Sequence, residues 1–296
     1  MRTRTLLVTV VLLALVSVGL LRAAAPAAQA PPTSASRVQA AAPGPGVATI
    51  WYLGHCGYAV KTARHLLMFD YIELEEQVRE RGLSKGFVDP AEIAAADLSV
   101  FASHSHLDHY DPVILTWEKT IPSIRYFFGW KAGLGARHQD LPAPRASATV
   151  DGLEIYTVNS HHSGVPEVAW LVKVDGLVFF HAGDYQGKMA RGATSNAADD
   201  MRYLMTKTDH VDVAFVGAVV EDWNLNVVNG LAPRVLFPMH YRRQEERYRA
   251  FAADLAAAGV KRPVICPTRR GDRFEYRDGR VRAHAPEPPR DSSTGS

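Results

Sequence analysis

Cysteine is scarce in this sequence, with two in 296 residues, Cys56 and Cys266. Two thiols cannot build a cysteine-rich zinc site, so any metal site should rest on histidine and carboxylate. An excess of either charge is missing too: 33 Lys+Arg against 31 Asp+Glu leaves a formal charge of +2. That balance is too weak to argue for a nucleic-acid or acidic-surface partner, and no nucleic acid is expected. No internal repeat is visible. Gly129, Gly133 and Gly135 sit in no strand-to-helix pattern, so they make no dinucleotide fingerprint. Long apolar runs are absent apart from Leu6 to Leu21. What is present is ordinary globular material, 47% hydrophobic and 22% charged, enough for one large α/β core.

The single apolar run has a recognisable setting. Arg2 and Arg4 precede it and the alanine-rich stretch Ala23 to Ala30 follows, which is the layout of a secretory signal. Ala28-Gln29-Ala30 is a small-x-small cleavage site; Pro31 hinders that cut, which leaves one after Ala27 as the alternative. The expectation is an exported protein, periplasmic or secreted, touching a membrane only if this segment stays uncleaved. Residues 1–30 then form the signal, 31–47 a flexible Pro/Ala/Gly/Ser linker, 48–285 one folded domain and 286–296 a disordered tail. An exported chain could join Cys56 to Cys266, and their separation in space decides whether it does.

Strand signals dominate the first half of the domain. Ala48 to Leu53, Tyr58 to Thr62 and Leu66 to Phe69 are short β-type runs. Leu98 to Ser103 is almost continuously apolar, as a strand buried on both faces would be. Leu153 to Val158 alternates, while Val168 to Val174 and Leu177 to Phe180 flank Asp175-Gly176, a two-residue hairpin signal repeated at Asp151-Gly152 and Asp278-Gly279. Val211 to Val216 and Arg234 to Phe237 complete the set. A helix is expected from Pro90, capped by Asp89 with Glu92 closing a capping box. Asp199 to Thr206 and Gln244 to Ala258 are two more, the last ended by Gly259. Arg270-Gly271-Asp272 reads as a turn before a strand. Strands and helices in this mixture predict a layered α/β protein.

The chemistry concentrates just past Leu98 to Ala102. Ser103-His104-Ser105-His106-Leu107-Asp108-His109 supplies three imidazoles and a carboxylate within six residues. Core packing requires no such cluster. Imidazoles two apart at a strand end point the same way and can grip one ion, and Asp108 and His109, past the bend, can face another.

Here the chain resembles the metallo-β-lactamase superfamily, whose signature is His-x-His-x-Asp-His, matched by His104, His106, Asp108 and His109. The resemblance continues in the family's order through Asn159-Ser160-His161-His162-Ser163-Gly164, Phe179-Phe180-His181-Ala182-Gly183-Asp184 and Leu236-Phe237-Pro238-Met239-His240-Tyr241. It implies the family's four-layer αβ/βα sandwich and two divalent metal ions. One ion would be held by His104, His106 and His162, with His161 the alternative to His162. The other would be held by Asp108, His109 and His240, with Asp184 bridging both. Zn2+ is the default for such ligands, and Mn2+ or Fe2+ also accept them. A bridging water made acidic by two cations would attack the substrate, with Asp108 orienting it and passing a proton.

Leu53-Gly54-His55-Cys56-Gly57 and Phe69-Asp70 resemble the first motif of the branch that contains the ascorbate-6-phosphate lactonase-like proteins. That likeness implies a pocket position for His55 and a supporting hydrogen bond from Asp70 to a metal ligand. Tyr185 and Tyr241 each follow a ligand position and are candidates for substrate contact, and Gln186 to Ala198 is a candidate loop over the site. The expected activity is hydrolysis of a lactone, ester or amide in a small molecule. A phosphodiesterase, a β-lactamase and a non-catalytic metal-binding protein are the alternatives.

Overall fold

The computed structural model describes residues 44–73, 77–160, 164–187 and 197–285. All of them lie in one compact unit. Two mixed sheets make up its centre. The first contains β1 (Val47–Gly54), β2 (Gly57–Lys61), β3 (His65–Phe69), β4 (Asp97–Ala102), β5 (Ile124–Phe128) and β6 (His138–Asp140). The second contains β7 (Ser147–Val150), β8 (Leu153–Asn159), β9 (Val168–Val174), β10 (Leu177–His181), β11 (Val213–Gly217) and β12 (Val235–Met239). The chain then returns to the first sheet with β13 (Arg273–Arg277) and β14 (Arg280–Ala283). The strand orders are β14-β13-β1-β2-β3-β4-β5-β6 and β12-β11-β10-β9-β8-β7. Three helices, α1 (Ala197–Met205), α2 (Asp222–Leu231) and α3 (Arg247–Ala257), follow the second sheet's hairpins.

Each sheet is antiparallel where hairpins build it and parallel where longer connections do. β3, β4, β5 and β6 run parallel, as do β10, β11 and β12. The hairpin signals are realised as turns with both central residues at positive φ: Asp151 and Gly152, Asp175 and Gly176, Asp278 and Gly279. Those turns match strand twist and explain why the flanking runs pair in register.

The sheets meet through aromatic packing. Tyr58 lies 4.4 Å from Phe215 between ring centroids, and Phe101 packs edge-on to Trp170 at 5.5 Å. Each fully buried aromatic contributes on the order of 2–3 kcal/mol of apolar burial. The outer face of the first sheet is covered by Leu83, Val88, Ile93, Ile114 and Trp117. These come from turns and two 3-10 segments, Leu83–Lys85 and Pro112–Lys119.

The helix expected from Pro90 does not form; residues 90–95 are turns. Asp89 does bond the Ala91 N–H, but Glu92 accepts from the Leu83 N–H instead of closing a capping box. A tertiary partner for Glu92 therefore outcompetes the local cap. β5, β6, β7, the 3-10 segment at Pro112 and α2 had no clear signal in the sequence. α1 and α3 fall where helices were expected, with Gly259 at φ +86° just past the second. Among the described residues no helix is long and apolar enough to cross a membrane.

Candidate metal centre

In α/β sheets, side chains just beyond the carboxyl ends of parallel strands share one edge of the molecule. Four of the candidate segments emerge there: Asp70 after β3, His104 to His109 after β4, Asp184 after β10 and His240 after β12. His55 and Cys56 join them from the turn between β1 and β2.

Local backbone chemistry sets the His-rich bend. The Ser103 N–H donates to Asp70 Oδ1 at 2.8 Å and the Ser103 hydroxyl to Oδ2 at 2.7 Å. The His109 and Tyr110 N–H groups both return to the His106 carbonyl, closing the turn. His104 and His109 are thereby buried, and Leu107 points out, 64% exposed. Gly183 is required next to Asp184. It sits at φ +55°, and a Cβ there would come within 2.8 Å of both Glu167 Oε1 and Ser103 Cβ.

The donor atoms converge. His104 Nε2 lies 3.0 Å from His106 Nδ1. Asp184 Oδ1 lies 2.9 Å from His109 Nε2 and 2.7 Å from His240 Nε2, while Oδ2 faces His104 Nε2 at 3.8 Å. The two oxygens of Asp184 thus address two sets of imidazoles. Asp108 Oδ2 is 3.4 Å from His55 Nε2, and Asp108 can share an ion with His104 and His106 or with His55 and His109. A third donor group contains Cys56, His109, Asp184 and His240, with all four donor atoms within 4.8 Å of one another.

Two observations test whether a metal fits. Among the described residues, neither the buried Nε2 of His240, 2.7 Å from Asp184 Oδ1, nor that of His55, 3.4 Å from Asp108 Oδ2, is aligned for a hydrogen bond. Imidazole, carboxylate and thiol converging in one place is also a donor set suited to a transition metal. The residues fit such an ion.

Electrostatics agree with that crowding. Burial lowers His104 to about 3, helped by neighbouring His109, so the ring is neutral and able to ligate. Burial raises the Asp184 carboxyl, but His109 and His240 outweigh it and hold Asp184 far below the usual range. Asp108 is also held low, first by His55. Burial, then Asp184, push Glu167 up to about 8. Burial acts to raise the Cys56 thiol, yet His240, His55 and His109 together hold it well below the ordinary value.

The surrounding residues take distinct positions. Asp70, fully buried, bonds His109 Nδ1 at 2.7 Å, which directs Nε2 at Asp184. Glu167 Oε1 accepts from the Asp184 N–H at 2.5 Å and lies 3.3 Å from His104 Nδ1. His181 Nδ1 accepts from the Gly183 N–H, so its Nε2 donates to the Cys56 carbonyl at 2.9 Å. The Tyr185 hydroxyl turns inward to Asp200 Oδ2 at 3.1 Å. Tyr241 packs against Tyr248, with the Arg247 guanidinium 4.2 Å over its ring. His161 and His162 lie outside the described residues, as does most of the loop from Gln186 to Ala198. Cys56 and Cys266 are both free thiols, and Cys266 donates to the Tyr248 carbonyl. Arg270 of the Arg-Gly-Asp tripeptide bonds the carbonyls of Leu53, Ile72 and Gly86, which fixes the chain just ahead of His55.

Sequence reasoning missed Cys56, Glu167 and His181 as parts of this cluster. It also missed Glu221 and Trp223, which with Asp184, Gln186, Val219, His240 and the expected Tyr185 line a cavity of about 250 Å³. Glu221 and Trp223 also border a neighbouring cavity of about 740 Å³. Cys56 and His181 lie within the sequence motifs without being assigned a role, no motif marks Glu167 or Trp223, and the acidic pair Glu221-Asp222 just past a hydrophobic strand was the one signal available for Glu221.

Comparisons with known proteins bear on the family and the fold. A UPF0173 metal-dependent hydrolase of Thermococcus kodakarensis is 23% identical over 233 residues, covering 72% of this chain and 95% of that protein. Igni18, a metallo hydrolase of Ignicoccus hospitalis, superposes with a TM-score of 0.54 at 19% identity, covering 78% of this chain and 98% of its own. The metallo-β-lactamase fold protein YhfI of Bacillus subtilis does so with a TM-score of 0.50 at 11% identity, covering 77% and 99%. The model of the beta-lactamase superfamily domain matches residues 49–240, from β1 through the last candidate histidine. With that match over most of its length, and with two mixed sheets in the metallo-β-lactamase fold, the chain belongs to the beta-lactamase superfamily.

Proposed function

We propose that this protein is an exported, metal-dependent hydrolase that cleaves a lactone, ester or amide bond in a small molecule. The observation that carries the reading is the convergence of His104, His109 and His240 on the two oxygens of Asp184, with His106 3.0 Å from His104. The name of the Thermococcus relative supports the hydrolase class. The motif at His55 and Asp70 supports the lactonase-like branch.

His104 and His106, with Asp108 or His162, would hold one ion. His109, His240 and Asp108 would hold the other, with Asp184 between them. Bound divalent ions, Zn2+ by ligand type, supply Lewis acidity and a water of lowered pKa. The chain's own groups do the rest. Asp108, half exposed and kept ionised by His55, can hold the proton released by an attacking water and return it to the leaving group. Asp70 fixes the tautomer of His109 through Nδ1. The cavity beside Asp184 and His240, lined also by Tyr185, Trp223 and Glu221, is of a size for a small substrate.

Elemental analysis of the purified full chain should give about two divalent ions per chain, and His106→Ala and Asp184→Ala should each bind less while staying folded. A panel of lactones, amides, phosphodiesters and β-lactams should then show metal-dependent turnover, with lactones or amides ahead. Two ions retained in Asp184→Ala would end its bridging role, and preference for phosphodiesters or β-lactams would overturn the substrate class. Export is tested by cell fractionation and N-terminal sequencing, with an uncut cytoplasmic chain the contrary result.

A further inference from the structure

The two cysteines of this chain have different surroundings. Cys266 is half-buried beside α3 and spends its thiol on a backbone carbonyl. Cys56 is fully buried at the margin of the hydrophobic core, with its sulfur turned toward the histidines. Its Sγ lies 3.9 Å from His109 Nε2. It belongs to a donor group in which Sγ, His109, Asp184 and His240 all stand within 4.8 Å of one another. Four ligand atoms at such spacing can surround one ion at ordinary bond lengths of roughly 2.0–2.3 Å.

Independent features aim this group at a ligand. His240 Nε2 is buried in it, 2.7 Å from Asp184 Oδ1 but not aligned for a hydrogen bond with any described residue. His109 is turned by Asp70 so that Nε2 faces both Sγ and Asp184. The backbone carrying the thiol is pinned: His181 donates to the Cys56 carbonyl, and His55, immediately before it, holds a left-handed φ of +52°.

We propose that Cys56 is a metal ligand through Sγ, completing a Cys56–His109–Asp184–His240 site. This deepens the metal-centre reading above and rests on it. On ligation the thiol gives its proton to solvent and sulfur donates to the ion. A thiolate among imidazoles selects zinc-like, softer ions over manganese, which favours oxygen donors. The donor set thereby assigns a metal preference that the His and Asp ligands alone leave open.

Cobalt(II) is the probe, because sulfur ligation adds a strong near-ultraviolet charge-transfer band that nitrogen and oxygen ligands do not give. The full chain and its Cys266→Ser variant, in which Cys56 is the one remaining cysteine, should both show the band on loading with cobalt(II). Cys56→Ser and Cys56→Ala should lose it while keeping the weak visible bands of cobalt held by histidine. Zinc should also outcompete manganese less strongly in these variants. Cobalt bound to the Cys266→Ser chain without the band, or a band that survives in Cys56→Ser, would overturn thiolate ligation and leave the histidine–aspartate centre standing. A parent chain that binds no cobalt or zinc would remove that centre, and this proposal with it. Should neither Cys56 variant fold, the Cys266→Ser spectrum alone decides.

Discussion

His240 has a φ of +83°, His55 of +52° and Asp70 of +40°. Non-glycine residues seldom occupy this region, and such conformations, costing on the order of 1–3 kcal/mol each, persist where surrounding structure imposes them. Here the imposing contacts are visible: the His240 N–H reaches the His55 carbonyl, and the Asp70 N–H reaches that of Phe101. Asp70 also takes three further hydrogen bonds, from the Ser103 N–H and hydroxyl and from His109. Asp70→Asn keeps the shape but weakens its hold on His109. Metal affinity should fall about 10–100-fold, read by competition with a chromophoric chelator, with the fold retained. Unchanged affinity would reduce Asp70 to a turn residue. The contrast between His104 and Cys56 explains what could be read in advance. His104, His106, Asp108 and His109 share one short segment, so spacing alone announces them. Cys56 and Glu167 reach the cluster only because strands far apart in sequence end at the same edge, and no local pattern encodes that.

At the scale of the element, hairpins were legible and partly polar connections were not. Asp-Gly pairs fix a turn by backbone preference alone, so the hairpin turns at Asp151, Asp175 and Asp278 could be placed from sequence, even where a flanking strand such as β7 carried no signal of its own. The stretch after Asp89 carries equally good local signals for a helix, yet Glu92 is drawn to the Leu83 N–H. Asp175 shows how a turn is tied to its neighbour. Its Oδ2 accepts from the Thr62 hydroxyl, the Arg64 N–H and His65 Nδ1, and Oδ1 accepts from the Arg64 guanidinium. Burial acts to raise this carboxyl, but those donors prevail and hold it well below the usual carboxylate range. A depressed folded-state pKa gives stability that is present above the unfolded value, near 4, and lost as pH falls below it. Asp175→Asn should therefore cost about 1–3 kcal/mol at neutral pH and flatten the acid limb of the stability profile, measured by urea unfolding across pH. An unchanged acid limb would contradict this.

For the molecule as a whole, the candidate ligands are divided between the sheets. β2 to β4 and their turns carry His55, Cys56 and His104 to His109; β10 and β12 carry Asp184 and His240. An ion held by both groups joins the two sheets at one edge. Stripping it with a chelator should lower the thermal midpoint of the full chain, and adding zinc back should restore it. Free ion at a hundred times its dissociation constant is worth about 2.7 kcal/mol. A midpoint indifferent to chelator and zinc would mean that no ion spans the sheets.

The donor residues extend from His55 to His240 along the chain, and only the His104 to His109 stretch is local. A chain threaded through a membrane in extended form would carry at most that fragment of the site. The complete set comes into being when the sheets close. The ion taken up would then be drawn from whichever compartment hosts folding, so the same sequence expressed on the two sides of a membrane could end with different metals in the same cage.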